Sequence, residues 1–570
     1  MPKLYIIAVS ILIIVLALPV NAPAQDPARF EDRYISLAFD KLRLEAESLP
    51  QGKRITQILT ERGEPVDEFD LYPQFLNIFH PITKHYIIWQ ELLFDIGDSY
   101  DEALVKESER NLRALQIFNV VAISPFKDEE GVGILVVTKD VWSLKPENDF
   151  TLLGSDIEYL YLAVADRNIA GRNKTGRINY RMDKGTHQIG EFFEDPRILG
   201  SRWNLSQGFH VVYNRRTHKH EGEYGSMLLH RPLYSLATKW SFYASAGFDR
   251  GISREFTGMA VVMIEDRDSG ELHPWEYSKQ NGWGSLGFTR SYGRANKHNF
   301  SASYGLSEED YQTTGSFLSA GFQQRLEDAF LPQSETVGAI GLGYVTWRPD
   351  FRKLYNVNTL GLVEDFRFGH FVSLSLTFAN ELLGGTTNFV HIDLAATYQW
   401  LFLDDNIFSV DLSHNRRIRA HDTVNLSYGA GVRNITPQFW LGRLHMRGTL
   451  NLIKDNIDND TYTLGGNSGL RGFESELLRG VTRITSNVEY RTRPVELKTI
   501  YIGGAFFWDS GDVFDENLSD MELLHSLGFG VRLLFPQGDR QVVRLDFAKP
   551  LNGPDVGWSA YLSFAAGQAF

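Results

Sequence analysis

The spacing of hydrophobic and polar positions changes character near residue 150. Before that point helical and strand rhythms alternate. A strand-like run covers Arg54 to Leu59, after which Thr83 is placed to cap a helix that carries Ile88 and Leu92 and stops at Gly97. Asp101 is placed to cap a second helix whose Leu104, Leu112 and Leu115 share one apolar stripe. Phe118 to Ser124 and Gly133 to Val141 then read as strands, separated by an acidic turn from Lys127 to Gly131. The predicted order is strand, helix, helix, strand, strand, a small α+β unit. The stretch from Gly63 to Pro81 is long for a connection in such a unit and reads as an insertion or extended loop.

From about residue 155 onward the pattern is that of strands separated by Gly, Asp and Asn turns. In the run Leu527 to Phe535 every odd position is apolar, and Arg532 falls on the opposite face. Val543, Leu545 and Phe547 alternate with Arg544 and Asp546 in the same way. Trp558, Ala560, Leu562, Phe564 and Ala566 share a face with the final Phe570, opposite Ser559, Tyr561 and Ser563. A soluble sandwich also alternates, but aromatic-ended strands with charges on the other face suit a membrane barrel with a wet lumen. Residues 151–570, at about 26 per strand and connection, predict about 16 strands, within two either way. The predicted fold class is mainly β: a transmembrane antiparallel β-barrel preceded by the small α+β domain.

Composition narrows the compartment. Lys3, the apolar run Leu4 to Val20 and Ala22-Pro23-Ala24 form an export signal, so residues 1–24 are read as a signal peptide and 25–50 as an N-terminal segment. The chain has no cysteine, which excludes a lipidated cysteine, disulfides and thiolate metal sites. No later apolar stretch reaches about 18 residues, so a helical membrane protein is excluded. The 50 glycines, 13% aromatics and 22% charged residues fit alternating strands, and a net charge of -14 argues against a nucleic-acid partner. These features leave the periplasm, the outer membrane or the exterior, and together with the barrel pattern the predicted location is the bacterial outer membrane.

Motifs for chemistry are weak. His218-Lys219-His220-Glu221 offers two imidazoles, but among neighbouring cations. Asp455, Asp458 and Asp460 lack the spacing and glycine of a calcium loop. Neither a G-x-S-x-G elbow nor an H-E-x-x-H helix occurs. No catalytic residue, metal or cofactor is predicted.

More specific signals lie further on. The segment Gly465-Gly466-Asn467-Ser468-Gly469-Leu470-Arg471-Gly472-Phe473 resembles the VRGF-type loop motif of the BamA/TamA superfamily, with Leu470 in place of Val. Asn487-Val488-Glu489-Tyr490-Arg491 resembles that family's twelfth strand, and Phe507-Trp508-Asp509-Ser510-Gly511 its FxDxG thirteenth-strand motif. Arg544-Leu545-Asp546-Phe547-Ala548, with Phe564 and the terminal Phe570, is similar to its closing strands. Asp166 to Gly171 looks like its first hairpin. The helices before residue 150 look like those of a single POTRA domain, here 51–150, followed by a barrel at 151–570.

The resemblance implies that Arg471, on the sixth extracellular loop, folds into the lumen and pairs with Glu489 and Asp509. Strand parity permits this, because Phe506 and Trp508 point outward when Asp509 points inward, and Val488 and Tyr490 do so when Glu489 points inward. A guanidinium can engage two carboxylates at once. The competing reading is a solvated loop charge. The resemblance also implies a non-enzymatic function: outer-membrane protein assembly or translocation, with unfolded or secreted polypeptides as clients, membrane lipid as surroundings and periplasmic accessory proteins as further partners. The alternative is a gated pore or a two-partner-secretion-type transporter. Lateral opening is expected where the first strand, near Glu158 to Val164, meets the last.

Overall fold

The structure is a computed structural model. It describes residues 30–570 except 71, 154–155, 258, 267–269, 315–321, 325–330, 404, 421, 457–459, 467, 475, 516–517, 554–560 and 570. The signal peptide, Phe570, Asn467 and Asp458 therefore lie outside the described residues.

The N-terminal domain has the predicted order: β1 (Ile55–Gly63), α2 (His85–Trp89), α3 (Glu102–Ala114), β2 (Phe118–Asp128) and β3 (Gly131–Asp140), preceded by α1 (Phe30–Leu42). Its sheet runs β1-β3-β2, with β3 parallel to β1 and antiparallel to β2. The central β3 is covered on both faces, which explains its unbroken apolar run. On one face Ile134 and Val136 pack with Ile88 and Leu112 from α2 and α3. On the other, Leu135 and Val137 pack with Phe30 and Ala38 of α1.

Two helical expectations need correction. The helix at α2 is only five residues long, and its N-cap is Lys84, without a side-chain cap bond. Thr83 is drawn elsewhere: its N–H and hydroxyl both donate to Asp140 at 2.8 Å, and its hydroxyl accepts from Asn168 at 2.8 Å. Leu92 and Phe94 reach the core from the turn after the helix. The second correction is α1, a helix inside the segment 25–50, for which the sequence pattern predicts no element. Asp101 does cap α3, accepting from Ala103 N–H.

The barrel strands begin with β4 (Leu144–Leu153), β5 (Asp156–Asp166), β6 (Thr175–Met182), β7 (Thr186–Asp195), β8 (Asn204–Asn214), β9 (His220–Arg231), β10 (Trp240–Arg254), β11 (Glu276–Tyr292) and β12 (Lys297–Thr313). They continue as β13 (335–355, interrupted at 348–349), β14 (Val363–Ala379), β15 (Phe389–Phe402), β16 (Asn406–Arg419), β17 (Asp422–Ile435), β18 (Gly442–Lys454) and β19 (482–497, interrupted at 493–494). The last are β20 (Ile500–Phe514), β21 (Leu524–Leu534), β22 (Val543–Pro550) and β23 (Tyr561–Ala566). Each is antiparallel to the next, and the order closes on itself through β23 and β4 into a barrel. Outward-facing apolar residues, such as Val164, Ile178, Phe288, Leu342, Phe506 and Phe529, are exposed as a lipid-facing band requires.

Among the described residues the barrel thus has twenty strands from β4 to β23, four more than the sequence pattern predicts. Several connections are far shorter than the assumed spacing; β16 and β17, for example, are separated only by residues 420–421. The wall also begins at Leu144, and the strand expected to be first is β5, the second. Lys145-Pro146-Glu147-Asn148-Asp149 conceals β4, because a polar run with a proline does not read as a strand. The seam accordingly lies between β4 and β23.

The N-terminal domain is docked on the connections at one end of the barrel. Lys84 N–H donates to Gly171 O at 2.9 Å in the β5–β6 turn. Gly171 has φ +69°, and a Cβ there would lie 2.3 Å from Ile82 O, so the hairpin motif Asp166 to Gly171 leaves room for the domain. Arg113 of α3 grips Asp365 of β14 with two bonds of 2.7 and 2.9 Å. Gln537, in the β21–β22 turn, donates from its side chain to Asp70 at 2.6 Å, and its backbone carbonyl accepts from Trp142 N–H at 2.6 Å.

Candidate functional site

Inside the barrel, β19 to β22 present a row of charges produced by strand alternation. Asn487 lies opposite Asp509, and Glu489 opposite Phe507. Gly530 lies opposite Asp546, and Arg532 opposite Arg544. The long connection 455–481, anchored by a small hairpin pairing Tyr462–Leu464 with Leu478–Gly480, brings Arg471 to this row. With twenty strands, it is the eighth connection at its end of the barrel, not the sixth.

Arg471 is 3% exposed, and its fork is fully used. Nε and Nη2 donate to the two oxygens of Asp509 at 2.7 and 2.9 Å. Nη1 donates to Glu489 at 2.7 Å and to Asp546 at 3.2 Å, and the backbone N–H reaches Asp509 at 3.2 Å. The guanidinium carbon lies 3.4 Å from the centroid of the Phe507 ring, which fixes the plane from one side. Asn487 ties the loop again, donating to Gly469 O at 2.8 Å and to Asp509 at 2.9 Å.

The carboxylates have further partners. Glu489 accepts from Arg491 at 2.8 Å and from Arg532 at 3.1 Å. Asp546 accepts from Arg532 at 2.5 Å and from Arg544 at 3.4 Å. The result is a network of three acids and four arginines, each at most 6% exposed. Removing one member of such a buried network leaves the others uncompensated, at a cost of about 3–5 kcal/mol.

Except Phe570, which lies outside the described residues, the predicted site residues can be placed. Leu470 and Phe473 are buried and form an apolar cluster with Leu464, Val513 and Leu524. Gly472 has φ +90° and its Cβ position is 3.1 Å from Ala548, a left-handed residue in a tight approach to β22. Gly511 faces inward beneath Leu464, which a Cβ would meet at 2.8 Å. Phe564 lies in β23, and nothing is described of its side chain. Asp546, Arg532, Arg491 and Arg544 do not emerge from the sequence as partners. Their inward parity is visible there, but the register that joins four strands is not.

A second segment enters the lumen from the opposite end. Residues 356–362, between β13 and β14, fold inward, and the carboxylate of Glu364 at the start of β14 accepts from the N–H groups of Val357, Asn358 and Thr359 at 2.9–3.1 Å. Arg491 donates to Val357 O at 3.2 Å, Gln568 to Asn358 O at 3.3 Å, and Arg540 to Val363 O at 2.5 Å. Leu360 and Leu362 pack with Tyr501, Leu534 and Val542. Arg491 therefore touches both the loop's network and this turn.

Of the weaker sequence motifs, Glu221 is bound by Arg254 at 2.5 and 2.7 Å, and His220 lies 3.2 Å from Glu223.

These features define a class, an outer-membrane β-barrel whose lumen is occupied by a pinned loop and whose mouth carries a docked α+β domain. Residues 168–570 match the Omp85 superfamily domain, and the chain belongs to that superfamily. Its members insert or translocate polypeptides at the outer membrane. Among solved structures, the chain is similar to BamA from Haemophilus ducreyi lacking POTRA domains 1–3, with 10% identity, 91% of this chain and 84% of that one covered, and a TM-score of 0.34. It is similar to CdiB from Acinetobacter baumannii at 13% identity, 91% and 74% coverage and a TM-score of 0.38. For CdiB from Escherichia coli the values are 11%, 91% and 76%, and 0.44. No curated protein matches the chain.

Proposed function

We propose that residues 51–150 form a POTRA-type domain that receives unfolded polypeptide in the periplasm, and that the barrel of this chain inserts that client into the outer membrane. The observation that carries the reading is the docked domain: a receptor held on the barrel mouth by Arg113–Asp365 and Gln537–Asp70 suits delivery into the barrel better than passive diffusion. In this reading Arg471, Glu489 and Asp509 hold the loop against the wall that bears the last strands. The β4–β23 seam is the place where a backbone edge can open toward lipid.

The test uses the purified full chain in lipid vesicles and a urea-unfolded eight-stranded barrel protein as client. Insertion should be accelerated at least tenfold over empty vesicles, and Arg471→Ala should remove most of the gain. A secretion channel would instead pass a soluble polypeptide into the vesicle without speeding insertion. A small-solute pore is the second reading, favoured by a polar cavity of about 830 Å³ lined by Arg181, Asp249 and Lys279. It predicts release of a trapped sugar with no effect on either polypeptide.

A further inference from the structure

The run Arg215 to Glu221, which contains the two imidazoles singled out in the sequence, lies at the barrel end opposite the N-terminal domain. That domain holds the β5–β6, β7–β8 and β9–β10 turns through Lys84–Gly171, Glu91–Arg197 and Glu107–Leu236. The turns that alternate with them, 183–185 between β6 and β7 and 215–219 between β8 and β9, therefore stand at the far end. Strand alternation then divides the run. Glu221 faces the lumen, bound by Arg254, and Arg215 donates to the carbonyls of Ile157 and Asp183 at 3.0 and 3.1 Å.

The rest of the turn belongs to the outer surface. Ile178, Ile189 and Phe209 are exposed there in the lipid-facing band. Beyond them comes a cluster of five rings. His187 stacks on His218 at 5.2 Å and 19°, and lies 6.2 Å from Tyr180 and 5.8 Å from Tyr213, whose ring is 5.9 Å from His220. A belt of amphipathic rings marks the level at which hydrocarbon gives way to headgroups. The same face carries Arg216, Lys219 and Arg250. Arg216 and Lys219 are exposed, and among the described residues their side chains have no hydrogen-bond or ion-pair partner. Arg250 lies over the Phe248 ring at 5.7 Å, and that ring is 6.4 Å from Phe209. Glu223 is 3.2 Å from His220 and opposite Arg250 in the β9–β10 pair, so its charge is answered. Asp183 and Glu158, on the lumenal side of this rim, are paired with Arg181 and Lys184. The outer face of the turn is thus net positive on a chain whose charge is -14.

We propose that Arg216 and Lys219 hold the phosphate of a lipid headgroup in the outer leaflet, with the ring cluster of His187, His218 and Tyr213 against the start of its acyl chains. A guanidinium matches phosphate oxygens with paired donors, and an ammonium adds a point charge. The His187–His218 stack holds the turn to the wall, which keeps both cations beside the belt where lipid phosphates reside. A lipid bound there ties the β8–β9 side of the barrel to the outer leaflet. The choice of leaflet rests on the reading of the N-terminal domain as periplasmic. The phosphate site itself does not, and its failure leaves that reading standing.

The absence of cysteine in the chain makes the test direct. The full chain with Thr217→Cys carries an environment-sensitive dye on its single thiol, in detergent micelles to which phosphatidic acid or phosphatidylcholine is added. The dye should respond to phosphatidic acid at a concentration about tenfold or more below that needed for phosphatidylcholine, the contribution expected of two cations at a lipid surface. Arg216→Gln together with Lys219→Gln, both exposed turn positions, should abolish that preference. The same dye at Ala420→Cys, in the β16–β17 turn, should not distinguish the two lipids. Equal response to both lipids at Thr217→Cys, a preference that survives the double substitution, or an equal preference at Ala420→Cys overturns the site. Inorganic phosphate separates the two sources of the anion: a response to it alone at the same concentration assigns the turn to free phosphate and overturns the lipid.

Discussion

The barrel's two sides use the same ionic chemistry under opposite conditions of solvation. On the β19–β22 wall, Arg471 and its three acids are at most 3% exposed, held by the loop above and close to the inward turn 356–362. On the β5–β11 wall, Lys279–Asp249 and Arg181–Asp183 have side chains 28–44% exposed around an open cavity. Water screens the second set, so each pair there contributes about 0–1 kcal/mol. In the first set the same type of contact fixes a long loop in one orientation. Charge pairing sets structure only where water is excluded, and the lumen is divided on that basis.

The largest effect should come from Arg471→Ala. Losing the fork should cost about 3–5 kcal/mol of loop docking, and hydrogen exchange in residues 462–480 should accelerate by at least a hundredfold. Unchanged exchange would mean that the loop is held by its apolar cluster alone. Arg471→Lys keeps the charge but not the two-pronged bond to Asp509, and should restore only part of the protection.

The next effect separates a buried acid outside the barrel from those within it. Glu31 of α1 has its pKa raised from 4.5 to about 7 by burial, partly offset by Arg113, Lys353 and Arg540, with Glu109 adding to the rise. A raised acid favours the protonated form when folded. Its contribution to docking of α1, about 3 kcal/mol, is therefore complete below about pH 4.5 and is lost as pH rises through about 7. Protease cleavage within 30–42 should increase between pH 6 and 8.5 in the native chain. Glu31→Gln should flatten that profile, and an unaltered profile would assign the change to another group.

Asp365→Asn weakens the two-bond grip on Arg113, and a loss of about 1.5–3 kcal/mol in docking of the N-terminal domain is expected. Crosslinking between the domain and the β13–β14 turn should fall, with the loop's exchange unaffected. The smallest effect belongs to the open wall. Asp249→Asn should change thermal unfolding by no more than about 1 kcal/mol and leave residues 462–480 as protected as before. A large destabilisation there would erase the distinction between the walls.

Much of the pinned wall is legible in the sequence because alternation and the Arg471 loop motif point to the same residues. Glu489 and Asp509 come from the family resemblance, and strand parity permits both to face inward. Asp546 and Arg532 carry the same parity, but their proximity depends on the β20–β21–β22 register and on Gly530, whose missing side chain leaves room for their contact. The helix Phe30–Leu42 does leave a trace, with Phe30, Tyr34, Ala38 and Leu42 four residues apart, but it stands beside an export signal whose stronger pattern masks it. Thr83 illustrates a different limit. Its sequence context suits a helix cap, and a long-range carboxylate, Asp140, takes it instead.

Twenty strands also have a consequence for the cell envelope. Barrel diameter grows with strand number, and sixteen to eighteen strands already enclose an aqueous channel in porins. An unfilled barrel of this size would let antibiotics and periplasmic contents leak across the membrane. The turn 356–362 with the start of β14, held by Arg491, Arg540 and Gln568, together with the loop held by Arg471, supplies material that makes so wide a cylinder compatible with a permeability barrier.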